Sequence, residues 1–242
     1  MSAFLLKIIA LVTMIFDHVG VVFDIDAFRV VGRVAFPIFV FFIAEGFRHT
    51  KSPAKYLARL AAFALISEVL FDLALIGEIN FLRQTNIFYT LFLGGAAISV
   101  ARWLRSRFLL PVSEKNTTPQ NFLLQIVSFL PVIFFMLAAK FLSADYGEYG
   151  VAFIFLMYAI ESKSPRIAVM AVLCAGLHAD LILLMLQHKY FHAYAAAIIF
   201  ATMIPVFLVA FYNGKRGGGG KWFFYVAYPL HLAVLVLVEN IL

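Results

Sequence analysis

With 242 residues, 64% of them hydrophobic and only 13% charged, the chain carries more apolar surface than one soluble core can bury, and its mean hydropathy of +0.98 points to a polytopic membrane protein. A lone cysteine, Cys174, excludes an intramolecular disulfide and a thiolate metal cluster, and no metal is expected. The formal net charge of +6 does not imply a nucleic-acid partner, because in a membrane chain the placement of Lys and Arg matters more than their sum.

A hydrocarbon core of roughly 30 Å calls for spans of about 20 apolar residues. Such stretches fall at 4–23, 30–48, 54–77, 86–104, 121–142, 148–161, 166–186, 193–212 and 222–241, so the expected fold is a single all-α bundle of about nine transmembrane helices over 1–242. The first stretch carries Lys7 near its start but lacks an A-x-A cleavage site, and Asp17-His18 spoils a signal-peptide core, so it reads as a retained helix. The stretch at 148–161 is short, and the junction Asp145-Tyr146-Gly147 reads as a bend or break. Ser106 to Gln120, with Pro111, Asn116 and Pro119, reads as a loop. Gly217 to Gly220 reads as a flexible connection; it lacks the strand, spacing and Lys-Ser/Thr end of a phosphate loop. Alternating the loops from Lys7 onward collects fourteen of the 19 Lys and Arg on one side, which places the N-terminus in the cytoplasm and the C-terminus outside.

The polar residues inside these spans carry the functional signal. An acidic side chain at a helix centre costs roughly 2.5–3.5 kcal/mol, so Asp17 and His18 should face protein or a wet cavity. With the expected orientation both fall in the outer half of the first helix, level with Arg29 and Arg33 on the second. Glu68 and Asp72 share a face at i and i+4, and Asn86, Tyr89 and Thr90 open the next helix at that depth. His178 and Asp180 are about 200° apart around their helix, so at most one points inward. A second set lies toward the cytoplasm: Glu45, Arg48 and His49 at i, i+3 and i+4, then Lys55 and Arg59. Between the two sets sit Tyr228 and His231, around Pro229.

Such a chain admits a plain reading, in which the basic set anchors the topology and the outer set forms ion pairs that hold the bundle together. It also suits a ligand that is anionic at a cytoplasmic end and reactive at the other. Coenzyme A thioesters have that shape: phosphates can stay among Arg and Lys while the pantetheine arm reaches inward. Histidine, with an unperturbed pKa of about 6.5, is suited to deprotonate an incoming amine or hydroxyl.

The stretches LKIIALVTMIFDHVG at 6–20, RVVGRVAFPIFVFFIAEGFRHTKSPAKYLARL at 29–60, FALISEVLFDLA at 63–74 and YPLHL at 228–232 resemble the TraX family of membrane proteins, associated with N-terminal acetylation of conjugative pilin. That family is distantly similar to multipass acyltransferases that O-acetylate surface glycans. The resemblance implies an acetyl-CoA-dependent acyltransferase with His18 as the catalytic histidine, Asp17 beside it, and Arg29 or Arg33 as an arginine element.

The expectation is therefore a multi-pass acetyltransferase of the bacterial inner membrane, embedded in the lipid bilayer, moving acetyl from cytoplasmic acetyl-CoA to a pilin or surface-glycan acceptor. His18 is the expected base. Helix neighbours diverge by about 100°, so Glu68 or Asp72 is expected to hold the imidazole in place of Asp17. Arg33, Asn86 or Tyr228 is expected at the thioester oxyanion, with Arg29, Glu45, Arg48, His49, Lys55, Arg59 and His231 lining the donor's path. Direct attack and an acetyl-histidine intermediate both fit. The alternatives from other classes are a proton-coupled transporter or flippase using Asp17, His18, Glu68 and Asp72 as a relay, and a structural subunit whose ion pairs only set helix packing.

Overall fold

The computed structural model describes residues 1–81, 83–108, 129–188 and 192–241, and these contain helices without any named strand. In chain order they are α1 (Ala3–Val22), α2 (Asp26–Gly32), α3 (Ala35–His49), α4 (Pro53–Phe71), a π-helical turn (Asp72–Ile76), α5 (Ile87–Phe108), α6 (Leu130–Phe141), α7 (Gly147–Ala159), α8 (Lys163–Gly176), α9 (Ala179–His188), α10 (Ala193–Ala210) and α11 (Lys221–Glu239). The loop expected at Ser106–Gln120, the first part of the 121–142 stretch, and Lys189 lie outside the described residues wholly or in large part.

Five of these helical segments are long and apolar enough to cross a membrane: Ala3–Val22, Asp26–His49, Ile87–Arg107, Ala193–Ala210 and Trp222–Glu239. A sixth results if α8 and α9, bent by 61° at their junction, count as one span. Charge keeps α4 out of that set, since it carries Lys55, Arg59 and Glu68. At 12 and 13 residues, α6 and α7 are short.

The expected second helix is broken at Arg33. Pro37 explains the break: its ring cannot coexist with a regular bond to the carbonyl four residues earlier, which is that of Arg33. Below the break α3 is buried almost all round from Phe36 to Ala44, where its side chains are apolar on every face, and Glu45, Arg48 and His49 follow at its far end. Helices α1, α5, α7 and α10 pack directly on it, while α11 bridges α1 and α4, α6 fills in behind α5 and α7, and α8 joins α7 to α10. Large side chains on the outside, including Val12, Phe16, Phe141, Val172, Phe200, Phe207 and Leu237, are exposed as a lipid-facing surface requires.

Backbone hydrogen bonds gather the helix ends. The Met1 amino group donates to Phe211 O at 2.5 Å, and Ala3 N and Phe4 N donate to Lys215 O and Arg216 O at 2.9 and 3.0 Å. The starts of α1 and α11 thus meet the end of α10. The glycine run expected to be a flexible tether is docked instead: Gly217 and Gly219 have φ of 74° and 91°, and a Cβ on Gly219 would come within 2.2 Å of the Phe4 ring. At the opposite end, Thr85 N donates to Ser143 O and Asp145 N to Thr85 O, both at 3.0 Å, so the start of α5 meets the α6–α7 turn.

Near that second end α1 and α2 approach so closely that a Cβ on Gly32 would sit 2.2 Å from Asp17 Cβ. Gly32→Ala is expected to lower stability by about 1–3 kcal/mol through overpacking, whereas Gly218→Ala, with nothing within 4 Å of the new methyl, should be near neutral. Thermal unfolding of the two variants in detergent checks this; equal midpoints would show that the contact yields freely.

Candidate functional site

On α1, Lys7, Leu11, Met14 and His18 follow steps of four, three and four residues and so share one face. On α11, Phe224, Tyr228 and His231 do the same in steps of four and three. Together with α3, α4 and α5 the two stripes enclose a cavity of about 210 Å³. Lys7, Tyr56, Arg59 and Tyr225 line it toward the end where α1 and α11 begin, and Met14 and Tyr228 line it one turn short of the two histidines. The Arg59 guanidinium lies 5.4 Å from the Tyr56 ring centroid, and the Lys7 ammonium lies 5.0 Å from that of Phe42 and 5.7 Å from that of Phe224. At a rise of 1.5 Å per residue, Lys7 and His18 are about 16 Å apart along α1.

His18 and His231 meet edge to edge with nearly coplanar rings, centroids 4.9 Å apart and planes 20° apart, and His18 Nδ1 lies 2.6 Å from His231 Nε2. Both are 8% exposed. The other His231 nitrogen, Nδ1, is 3.0 Å from Ala227 O. Tyr228 sets its ring edge-on to both imidazoles, at 5.9 and 5.3 Å. Glu68 or Asp72 was the expected holder of the His18 ring; the structure gives that contact to His231, expected only to line the donor's path.

The carboxylates have other duties. Asp17 accepts from Arg33 Nη2 across the α1–α2 contact, and Arg33 Nε donates to Arg29 O at 3.2 Å. Asp145, in the turn between α6 and α7, lies near the same guanidinium. Burial, the largest cause, pushes its carboxyl up to about 7 against the pull of Arg33, and Asp17 adds to the rise. Direct pairing with Arg33 therefore falls to Asp17. Glu68 Oε2 accepts from Asn86 N at 3.0 Å and from Asn86 Nδ2 at 2.6 Å, and that same Nδ2 reaches Ala64 O at 2.8 Å. Both amide hydrogens of Asn86 are thus used, as are Nε and one Nη of Arg33. Of the three expected oxyanion donors, Tyr228 is the one that lines the cavity. Asp72 Oδ2 accepts from Asn80 N at 2.8 Å, tying the segment after the π-helical turn back to its start.

Toward the first end the expected basic rim divides. Arg48 Nη2 donates to the carbonyls of Met157, Tyr158 and Ile160 at 2.8, 2.6 and 2.6 Å, capping the last turn of α7. Glu45 takes Arg166 at 2.5 Å, with Arg48 and His49 at 3.4 and 3.6 Å. Arg48 and Glu45 are therefore packing groups, His49 and Lys55 are exposed, and Arg59 alone of that set lines the cavity. His178 turns in to Thr202 at 2.8 Å while Asp180 is exposed, but the 61° bend between α8 and α9 falls at this point, so the two residues do not share the single regular helix expected for them. Sequence reasoning missed Lys7, Tyr56 and Tyr225 as cavity residues; the 7-11-14-18 spacing was the available signal for Lys7.

A family model described as TraX protein matches residues 2–239. The probable fimbrial assembly protein FimC, serogroup H1, of Dichelobacter nodosus is 32% identical over 256 residues, spanning 97% of this chain and 94% of the relative. No solved structure matches.

The Asp17–Arg33 pair, with each side chain 19% exposed, should behave as a partly buried ion pair. Asp17→Asn or Arg33→Gln alone is expected to cost on the order of 3 kcal/mol by leaving one charge unpaired, and the double variant to cost less than the two singles together. A double-mutant cycle of unfolding free energies in detergent checks this; additive losses would remove the coupling.

Proposed function

The chain belongs to the TraX family, and from that footing we propose that it is a multi-pass inner-membrane acetyltransferase. It passes the bilayer nine times with the N-terminus in the cytoplasm, takes acetyl from acetyl-CoA, and transfers it to an acceptor amine or hydroxyl at the outer half of the membrane. A fimbrial assembly relative makes a pilin amino terminus the favoured acceptor over a surface glycan. One observation carries the reading: an apolar cavity runs from the cations Lys7 on α1 and Arg59 on α4 to within one helical turn of a pair of buried histidines.

Each part of the cavity has a task in this reaction. Lys7 and Arg59 hold the phosphates of the donor, with Arg216 close enough to Lys7 for repulsion that an anion would relieve. Apolar walls from α3 and α5 accept the pantetheine arm and exclude water. Tyr228 donates its hydroxyl proton in a hydrogen bond to the thioester oxygen as charge develops there. His18 accepts the proton of the attacking amine or hydroxyl, the carbon–sulfur bond breaks, and the proton passes on to the departing CoA sulfur. A proton relay through Asp17, His18, Glu68 and Asp72 finds less support, because Asp17 bonds Arg33, His18 bonds His231 and Glu68 bonds Asn86 in separate networks.

Purified protein given labelled acetyl-CoA and a peptide with a free amino terminus should release CoA and label the peptide. His18→Ala should slow this by about 10²- to 10⁴-fold. Neither turnover nor donor binding in the intact protein would overturn the reading. Arg59→Gln should weaken acetyl-CoA binding and flatten its salt dependence, while Arg48→Gln should leave donor affinity unchanged and lower thermal stability; affinity lost with Arg48 and kept with Arg59 would move the phosphate site.

A further inference from the structure

We propose that His231 is the positioning residue of the reaction: it locks His18 into the Nδ1–H tautomer, so that the unprotonated Nε2 of His18 is the base. This rests on the acetyltransferase reading for its consequence, but the geometry stands apart from it. A backbone carbonyl can only accept, so the 3.0 Å contact from His231 Nδ1 to Ala227 O puts a proton on that nitrogen. Neutral His231 then has a lone pair at Nε2. At 2.6 Å the facing atom, His18 Nδ1, must supply the hydrogen. His18 is left with its lone pair at Nε2, and the ring is held in orientation by this in-plane contact with His231 and by Tyr228 set edge-on to it.

Carboxylates usually do this work for a base histidine. Here Glu68 and Asp72 are engaged at the α4–α5 junction and Asp17 at Arg33. A second imidazole serves because it accepts without adding a negative charge at membrane depth. When His18 Nε2 takes the acceptor's proton and the acceptor's lone pair forms the new bond to the acetyl carbon, His18 becomes cationic. Its Nδ1–H bond to His231 is then charge-assisted, and the positive charge is shared between the two rings. Return of the Nε2 proton to the departing thiolate restores both tautomers, with no net proton left on either histidine. Pro229 lies between Tyr228 and His231 in α11, where it removes one ladder donor and loosens the helix that must place both side chains.

Nitrogen NMR of protein labelled at histidine, with the His18 signals assigned by their loss in His18→Asn, reads the tautomer directly. Wild-type protein should show His18 protonated at Nδ1 alone, and His231→Ala should shift it toward a mixture. In the acetyl-transfer assay His231→Ala should lower kcat by about 10- to 100-fold, the range seen when the group orienting a metal-bound histidine is removed, with the donor Kd unchanged. His231→Gln, whose amide oxygen can accept from Nδ1–H, should recover part of that loss and keep the wild-type tautomer. A wild-type spectrum with His18 protonated at Nε2 overturns the proposal even if the alanine variant fails to fold. So does a glutamine variant no faster than alanine, or full activity in both. Wild-type protein that never turns over acetyl-CoA defeats the functional reading instead, and the tautomer is still decided by the spectrum.

Discussion

The ion pair between Asp17 and Arg33 sets the rotation of α1, and much of the interior follows from that rotation. Adjacent helix residues diverge by about 100°. Once Asp17 is turned onto Gly32 and Arg33 at the α2–α3 break, His18 has to face away from α2, and the neighbour it meets is α11. The same rotation carries Lys7, Leu11 and Met14 onto the cavity wall. The pair is thus a clamp whose effect is felt a third of a turn away from itself.

Polar groups at membrane depth need partners within the protein, because lipid offers none. Several of the described residues meet this need through shared networks. Arg33 joins Asp17 and the Arg29 carbonyl; Asn86 joins Glu68 and the Ala64 carbonyl; Glu45 joins Arg166 and Arg48, and Arg48 in turn caps α7. Each network seals a helix break or helix end whose backbone groups would otherwise be costly to bury. The histidine pair differs from these. It caps no helix and neutralises no charge, and it sits where the apolar cavity ends.

That cavity is polarised along its length. Cations line it only toward the end where α1 and α11 begin, and the middle is aromatic and aliphatic. A ligand with a charged head and a long, less polar arm would match this order in one direction only. A buried pair of neutral imidazoles at the far end can accept and return a proton without leaving a lasting charge in a medium that would penalise it.

Composition and period alone determined that this is an all-helical membrane chain, and they marked where its helical segments run, because apolar runs of span length are legible without any neighbour. They also separated the polar residues into two depths, since depth along one helix follows from its rise; the angle expected between His178 and Asp180 does not carry over, because the helix bends between them. What a side chain touches across helices depends on rotation and crossing, which one-dimensional spacing does not carry. Only the tertiary structure decided that Asp17 belongs to Arg33, that Arg48 belongs to the carbonyls at the end of α7, and that Lys7 lines the cavity. It alone brought His231 to His18 across 213 residues of chain, because the rotation of α1 and the line of α11 are set by packing against helices that neither segment's own sequence specifies.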